Sequence, residues 1–343
     1  MSFQSVRDGV YAIWSHLWTA YDVARMARRD EAPDLVDLLA GGKRKGFLES
    51  ADTFYAIGFI NIQRGAVYRI VLPDTKSFYT AVSLHSSRQQ SSIEIFKEES
   101  GEESGVMTLL LGDSVAHSEG LDTAAYHGIT QLMVRQYYVS DRMVSSTQMP
   151  TLEVLSPPPM AAMKSKYQVS IAVGMQFFYW RLKLLLGTKY IQFRIRRAGQ
   201  RNRFYSQEDA SSLLPSVKAS VSRLGMAKYR YLLCMFDIHE NEMLRIDYQP
   251  KDDGYFAFCL HNNWMQNIRG GGESEHLNSH QLEERSEGGY SIYVGGCNYG
   301  NKTNYLNTSG YTRGVIAFRE IAPAEGAEIP GCRLITTEGC IKS

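Results

Sequence analysis

Between Tyr229 and Arg319 the chain reads YRYLLCMFDIHENEMLRIDYQPKDDGYFAFCLHNNWMQN, then EHLNSHQ, then GGYSIYVGGCNYGNKTNYLNTSGYTRGVIAFRE. Short runs of alternating apolar and polar residues are separated by Asn, Asp and Gly clusters, the pattern of half-buried antiparallel strands joined by tight turns. His, Asn, Trp and Gln crowd the ends of these runs. A fold and a candidate pocket can both be read from this stretch.

The 343 residues suffice for two domains of ordinary size, or for one large all-β unit with helical insertions. With 37 Lys plus Arg against 36 Asp plus Glu, there is no bulk electrostatic case for nucleic acid or for an anionic membrane surface. The opening MSFQSVRDGVYAIW puts an acidic residue where a signal peptide needs an unbroken apolar core. No run of about 20 apolar residues occurs either, so a soluble, cytoplasmic protein is expected. Cys234, Cys259, Cys297, Cys332 and Cys340 are odd in number and show no Cys-x-x-Cys spacing. They read as reduced thiols, with Cys234 and Cys259 as core residues rather than nucleophiles.

In chain order, Val10, Ile13, Trp14, Leu17, Trp18, Tyr21 and Val23 recur at steps of three and four, which predicts an amphipathic helix from Val10 to about Leu39. Gly41 and Gly42 fit its cap. The period then changes: FYAIGFINI, AVYRIVL and SFYTAVSL read as a meander of three strands, and the acidic Ser- and Gly-rich tip near residue 100 as an exposed turn. Strands resume at Val106–Leu111, Gln131–Val139 and Thr151–Leu155, before the breaker Pro157-Pro158-Pro159. Beyond it, helices are expected over Met160–Leu186 and Ser206–Leu224. The first is apolar on most sides and is therefore expected to be buried between layers. The basic link Arg194, Arg196, Arg197, Arg201 and Arg203 is too short to mark a nucleic-acid face. No short-period repeat is visible. The expected organisation is an N-terminal helical segment (1–45), a first β-sandwich (46–157), a helical insertion (158–226) and a second β-sandwich carrying the candidate site (227–343). The expected class is mainly β with helical insertions, as sandwich or jelly-roll layers.

A set of short matches resembles the domain-of-unknown-function twelve-fourteen family, often preceded by its twelve-fifty-four companion. The matches are Tyr231, Cys234, Phe236, Glu242, Leu244 with Ile246, Pro250, Tyr255 and Trp264. Leu277-Asn278 with Gln281, Gly289, Asn304 with Leu306 and Thr308, Gly310, Gly314 and Arg319 continue the series. Upstream, Phe54-Tyr55, Tyr68-Arg69-Ile70 and Val134-Arg135-Gln136-Tyr137 are similar to the family's first and central strands. The resemblance implies two jelly-roll-like antiparallel β-sandwiches with helices packed between or beside them. The chain departs from the family at Asn263-Trp264-Met265-Gln266 and at Asn304-Tyr305-Leu306-Asn307-Thr308, where two acids common in the family are missing.

For chemistry, His261, Asn262, Asn263 and Trp264 follow the strand run YFAFCL, and Asn278 and His280 lie on the next loop. Converging, they supply imidazoles to move protons, amides to hold a carbonyl or hydroxyl, and an indole for an apolar or sugar ring. His261 and His280 are the candidate catalytic residues. Asn263, Trp264, Asn278, Arg135, Tyr137, Asn304 and Tyr305 are the candidate substrate-binding residues. The alternative for the loop residues is backbone hydrogen bonding and core packing, and for Arg135 a buried pair with an acid such as Glu153 or Asp247. His261, His276 and His280 offer no compact helical His-x-x-x-His pair, so no metal site is expected. The phosphate-loop, dinucleotide and Gly-x-Ser-x-Gly signatures are absent, and no cofactor is expected. The leading reading is a cofactor-independent enzyme for a small organic or sugar-like molecule, of lyase, isomerase or cyclase type or a hydrolase. The alternatives are a carbohydrate or small-ligand binding module, and a structural homo-oligomer built through some of its 21 Tyr residues.

Overall fold

The computed structural model describes residues 3–26, 36–37, 50, 52–62, 65–73, 77–85, 90–96, 107–113, 115–116, 120–124, 126, 128–139, 148–156, 166–205, 229–268, 275–298 and 301–336. The expected helix over 206–224, the triple proline, the Gly41-Gly42 cap and the acidic tip near residue 100 lie outside them. The described residues form two helices, α1 (Phe3–Met26) and α2 (Lys166–Arg197), and eighteen strands. The first nine are β1 (Val36–Asp37), β2 (Thr53–Ile62), β3 (Val67–Leu72), β4 (Tyr79–His85), β5 (Gln90–Phe96), β6 (Met107–Gly112), β7 (Gly120–Asp122), β8 (Gly128–Tyr137) and β9 (Thr151–Ser156). The second nine are β10 (Phe204–Tyr205), β11 (Tyr229–Asp237), β12 (Glu242–Tyr248), β13 (Phe256–Asn262), β14 (His276–Asn278), β15 (Tyr290–Gly295), β16 (Tyr305–Asn307), β17 (Arg313–Ile321) and β18 (Gly331–Thr336). The protein is mainly β.

Two compact units divide the chain. One comprises Met1–Ala12, Lys45–Ser50 and Lys183–Ser343, the other Ile13–Arg44 and Ala51–Leu182. In the N-terminal sandwich a sheet of order β1-β2-β8-β4-β5 faces one of order β7-β6-β3-β9. Phe54, Ile60, Val82 and Val134 from the first sheet meet Ile70 and Leu111 from the second in one buried cluster. The C-terminal sandwich repeats this plan strand for strand, β10-β11-β17-β13-β14 against β16-β15-β12-β18. Among the described residues the one parallel pairing of each sandwich also recurs at the same place, β6 with β7 and β15 with β16. Here the core is aromatic: Phe318 lies 4.9 Å from Phe258 and 5.0 Å from Tyr248 between ring centroids. Burying each such ring contributes roughly 1.5–3 kcal/mol.

The expected three-strand meander is corrected by the pairing. β2 joins β8 and β4 joins β8, whereas β3 joins β6 and β9 in the opposite sheet. Successive strands thus cross between layers, because each has one apolar face and the two faces must meet.

The helices differ from expectation too. α2 runs on to Arg197, so Arg194, Arg196 and Arg197 are its last turn rather than a link, where cations suit the C-terminal end of the helix dipole. Gly199 at φ 67° ends it, with Gly199 N–H donating to the Arg196 carbonyl and Gln200 N–H to that of Ile195. Nor is α2 buried all round: Ile171, Met175, Tyr179 and Leu182 are exposed. On α1, Trp14, Leu17, Trp18 and Tyr21, part of the apolar stripe of the expected amphipathic helix, are exposed as well. The helices meet where Gly174 of α2 lies against Ala20 and Ala24 of α1, and a Cβ there would come 2.9 Å from that of Ala24.

Candidate functional site

Alternation along three adjacent strands of the C-terminal sandwich sorts their side chains onto two faces. Leu232, Cys234, Phe236, Phe256, Phe258, Leu260, Ile316 and Phe318 belong to the core. The residues between them therefore share the outer face. Register aligns Tyr231, Arg319, Ala257 and Asn278 in one row, and Leu233, Ala317, Cys259 and His276 in the next. His261 stands a further row along, paired with Val315. The His261 end of this face is covered by α2, through Ile191 and Ile195 against Met235, Met265 and Val315. Away from α2 the face is polar yet buried, with Arg319 2% exposed, Cys259 3% and Asn278 0%, and His261 at the covered end is 0% exposed.

Arg319 is the one cation among these residues. Its guanidinium lies 6.0 Å from the centre of the Tyr231 ring and donates from Nη1 to the Cys259 sulfur at 3.4 Å. Ser50 Oγ stands 3.5 Å from the same sulfur, and His261 Nδ1 is 3.2 Å from the Cys259 carbonyl. Arg319 thus reaches up the sheet toward His261. Ala257, its neighbour in register, and Ala317, two residues before it on the same strand, project only a methyl group over this part of the face. A guanidinium fork, a thiol, a hydroxyl and an imidazole can together hold an oxyanion and move a proton beside it.

The other expected site residues are placed as follows. Asn262 organises the loop after β13: its Oδ1 accepts from the N–H groups of Trp264 and Gln266 at 2.8 and 3.1 Å. The Asn263 carbonyl accepts from Lys189 Nζ at 2.5 Å and Gln192 Nε2 at 3.1 Å, and its Oδ1 from Arg196 at 2.6 Å. Asn263 is therefore the dock for α2. Trp264 is held beneath Lys189, whose Nζ is 3.7 Å from the ring centre, and against Gly9 of α1, where a Cβ would be only 2.4 Å from the indole. Asn278 Oδ1 accepts from His280 N–H at 3.1 Å, shaping the turn.

His280 does not converge on His261. β13 and β14 run antiparallel with Ala257 opposite Asn278, so His280 is exposed beyond the other end of β13, beside the Tyr255 ring at 6.3 Å. At about 3.4 Å per residue the six steps from Tyr255 to His261 amount to roughly 20 Å. Asn304 and Tyr305 sit on the opposite sheet. Asn304 clamps Glu283 through both its backbone groups, at 2.8 and 2.7 Å, and the Tyr305 hydroxyl donates to the Gly295 carbonyl at 2.7 Å. Arg135 and Tyr137 belong to the N-terminal sandwich, where Tyr137 packs edge-on against Tyr79 at 5.5 Å.

Sequence reasoning overlooked Ser50 and took Cys259 for core, and it used Arg319 only as a point of resemblance. Strict alternation would have found two of them: Ala257, Cys259 and His261 fall on one face of FAFCLHN, and Val315, Ala317 and Arg319 on one face of GVIAFRE. Among the described residues no three His, Cys, Asp or Glu side chains are grouped to hold a metal ion, and no helix is long and apolar enough to cross a membrane.

No family model matches the chain, and no curated protein matches it. Among solved structures it is similar to an uncharacterized protein from Burkholderia cenocepacia, with TM-score 0.77 and 16% identity over 98% of this chain and 90% of that one. It is also similar to the VPA0106 protein from Vibrio parahaemolyticus, with TM-score 0.55 and 10% identity over 95% and 99%. At these identities the likeness establishes the β-rich fold alone.

Proposed function

We propose that this chain is a cofactor-independent enzyme that acts by acid/base chemistry on a small organic carboxylate, such as a sugar acid or an oxo acid. Arg319 holds the carboxylate and His261 moves the proton. The observation that carries the reading is the buried guanidinium of Arg319 reaching Cys259 on the face that also bears His261. A sheet face meant only for packing is served by apolar residues, and burying a charged and polar set is costly unless it has work to do. The planar guanidinium matches a carboxylate with two parallel N–H donors. Proton removal next to that carboxylate is the shared first step of isomerase and lyase chemistry, which suits an imidazole near neutral pH. The motif resemblance supports a place in the twelve-fourteen family, and the free thiols of Cys234, Cys259, Cys297 and Cys332 support a reducing, cytoplasmic setting.

The test is wash-out of C–H protons from a panel of sugar acids and oxo acids in D2O, followed by proton NMR. His261→Gln is expected to abolish exchange with ligand affinity unchanged, and Arg319→Gln to weaken affinity by about 10-fold or more. Binding without exchange in the wild-type protein would make it a binding module instead.

We further propose that the chain assembles with copies of itself. Supporting this are Trp14, Leu17, Trp18 and Tyr21 of α1 and Ile171, Met175, Tyr179 and Leu182 of α2, large apolar side chains left exposed, of the kind that interfaces between copies cover.

A further inference from the structure

The polar face built on Arg319 has a counterpart in the N-terminal sandwich, at the strands that occupy the same places in the repeated plan. β4 reads Tyr79-Thr80-Ala81-Val82-Ser83-Leu84-His85, and the run entering β13 reads Tyr255-Phe256-Ala257-Phe258-Cys259-Leu260-His261. Tyr, Ala, Leu and His coincide at the same steps, with Ser in place of Cys. The register coincides as well. Tyr55 of β2 and Ala81 of β4 both pair with Arg135 of β8, as Tyr231 of β11 and Ala257 of β13 both pair with Arg319 of β17. Shared topology does not by itself force this, since a slip of one residue in any strand would turn its side chains to the other face.

Phe54, Ala56, Val82, Leu84, Leu132 and Val134 belong to the N-terminal core. Tyr55, Ala81, Ser83 and Arg135 therefore lie on the outer face, and Arg135 is only 6% exposed and Ser83 0%. Ser83 Oγ is 2.8 Å from Nε2 of His85, a hydroxyl and an imidazole within proton-transfer reach.

We propose that the N-terminal sandwich carries a second site for a small organic carboxylate, built from Arg135, Tyr55, Ser83 and His85, so that one chain holds two ligands. The proposal rests on the reading of the Arg319 face as a carboxylate site. The guanidinium binds the carboxylate, the Tyr55 hydroxyl is a further donor in the same row, Ala81 keeps the space above the strand clear, and His85 takes the place that His261 has in the other sandwich.

Isothermal titration with malonate, with inorganic phosphate as a parallel arm, tests it on the full chain. Wild type is expected to bind two equivalents of malonate. Arg135→Gln and Arg319→Gln are each expected to bind one, and the double variant none, with at least about a 10-fold loss at the altered site. Arg135→Lys, which keeps the charge but not the fork, is expected to fold with an unchanged urea midpoint and to weaken the second equivalent, which decides the matter if Arg135→Gln fails to fold. One equivalent in wild type, lost in Arg319→Gln and untouched in Arg135→Gln, would overturn the second site and leave the first standing. Binding that neither arginine affects, or no malonate binding, would overturn both. Phosphate bound in place of malonate would overturn the carboxylate class at both.

Discussion

Lys189 illustrates how little a residue type says before its surroundings are known. In sequence it is one cation of a helix; in the structure it lies over the Trp264 ring and donates to the Asn263 carbonyl. Desolvation, and then the nearby Arg196, bring its pKa from 10.5 down to about 8. Between those values the unfolded chain binds more protons than the folded one, so this group's contribution to stability rises with pH across that window. Urea unfolding of the wild type and of Lys189→Met, at pH 7 and at pH 10, is expected to show the wild type gaining on the variant at the higher pH. A gap independent of pH would contradict it. Tyr248 is a second case: its hydroxyl donates to Glu320, burial and then that carboxylate push its pKa up, and Arg230 closes the group with an ion pair to Glu320 at 2.5 Å. The outcome is a buried carboxylate held in an ion pair.

At the scale of elements, the sheet that carries Arg319 depends on close approach at Gly314. This residue pairs with Phe236 on one side and Asn262 on the other. A Cβ on it would meet the His261 carbonyl oxygen at 2.4 Å and the Phe236 ring at 2.5 Å. Gly314→Val is expected to destabilise the protein by about 1–3 kcal/mol, as overpacking of a filled site does, and differential scanning calorimetry would read this as a lowered Tm. An unchanged Tm would mean that the strands part without cost. The strands themselves were legible, because alternation is local and each apolar run had a turn at its end. Their allocation to two sheets was not, because β2, β3 and β4 follow one another through short turns whether they form a meander or cross between layers.

For the whole molecule, the decisive fact is that one nine-strand plan occurs twice. The repeat is absent from short windows of the sequence, where only fragments such as Tyr79–His85 and Tyr255–His261 preserve it. The molecule also leaves apolar helix surface open. Trp14 stacks on Trp18 at 6.3 Å and Trp18 meets Tyr21 at 5.7 Å, all three exposed. Light scattering is expected to give a mass larger than one chain, and Trp18→Glu with Tyr179→Glu to reduce it to that of a single chain with the circular dichroism spectrum unchanged. A monomeric wild type at high concentration would refute assembly through these helices.

By itself the sequence determined the class of fold, the existence of two β blocks and the helical nature of the segments around Trp14 and Phe177, because periods of two and of 3.6 are written locally. It also placed His261 in a polar neighbourhood. Only the tertiary structure decided which polar residues share a face. Pairing register brought Arg319, Cys259 and His261 together from strands far apart in the chain, turned Asn263 and Trp264 toward the helices, and set His280 beyond the far end of β13. Register depends on contacts between distant segments, and no local pattern of residues carries that information.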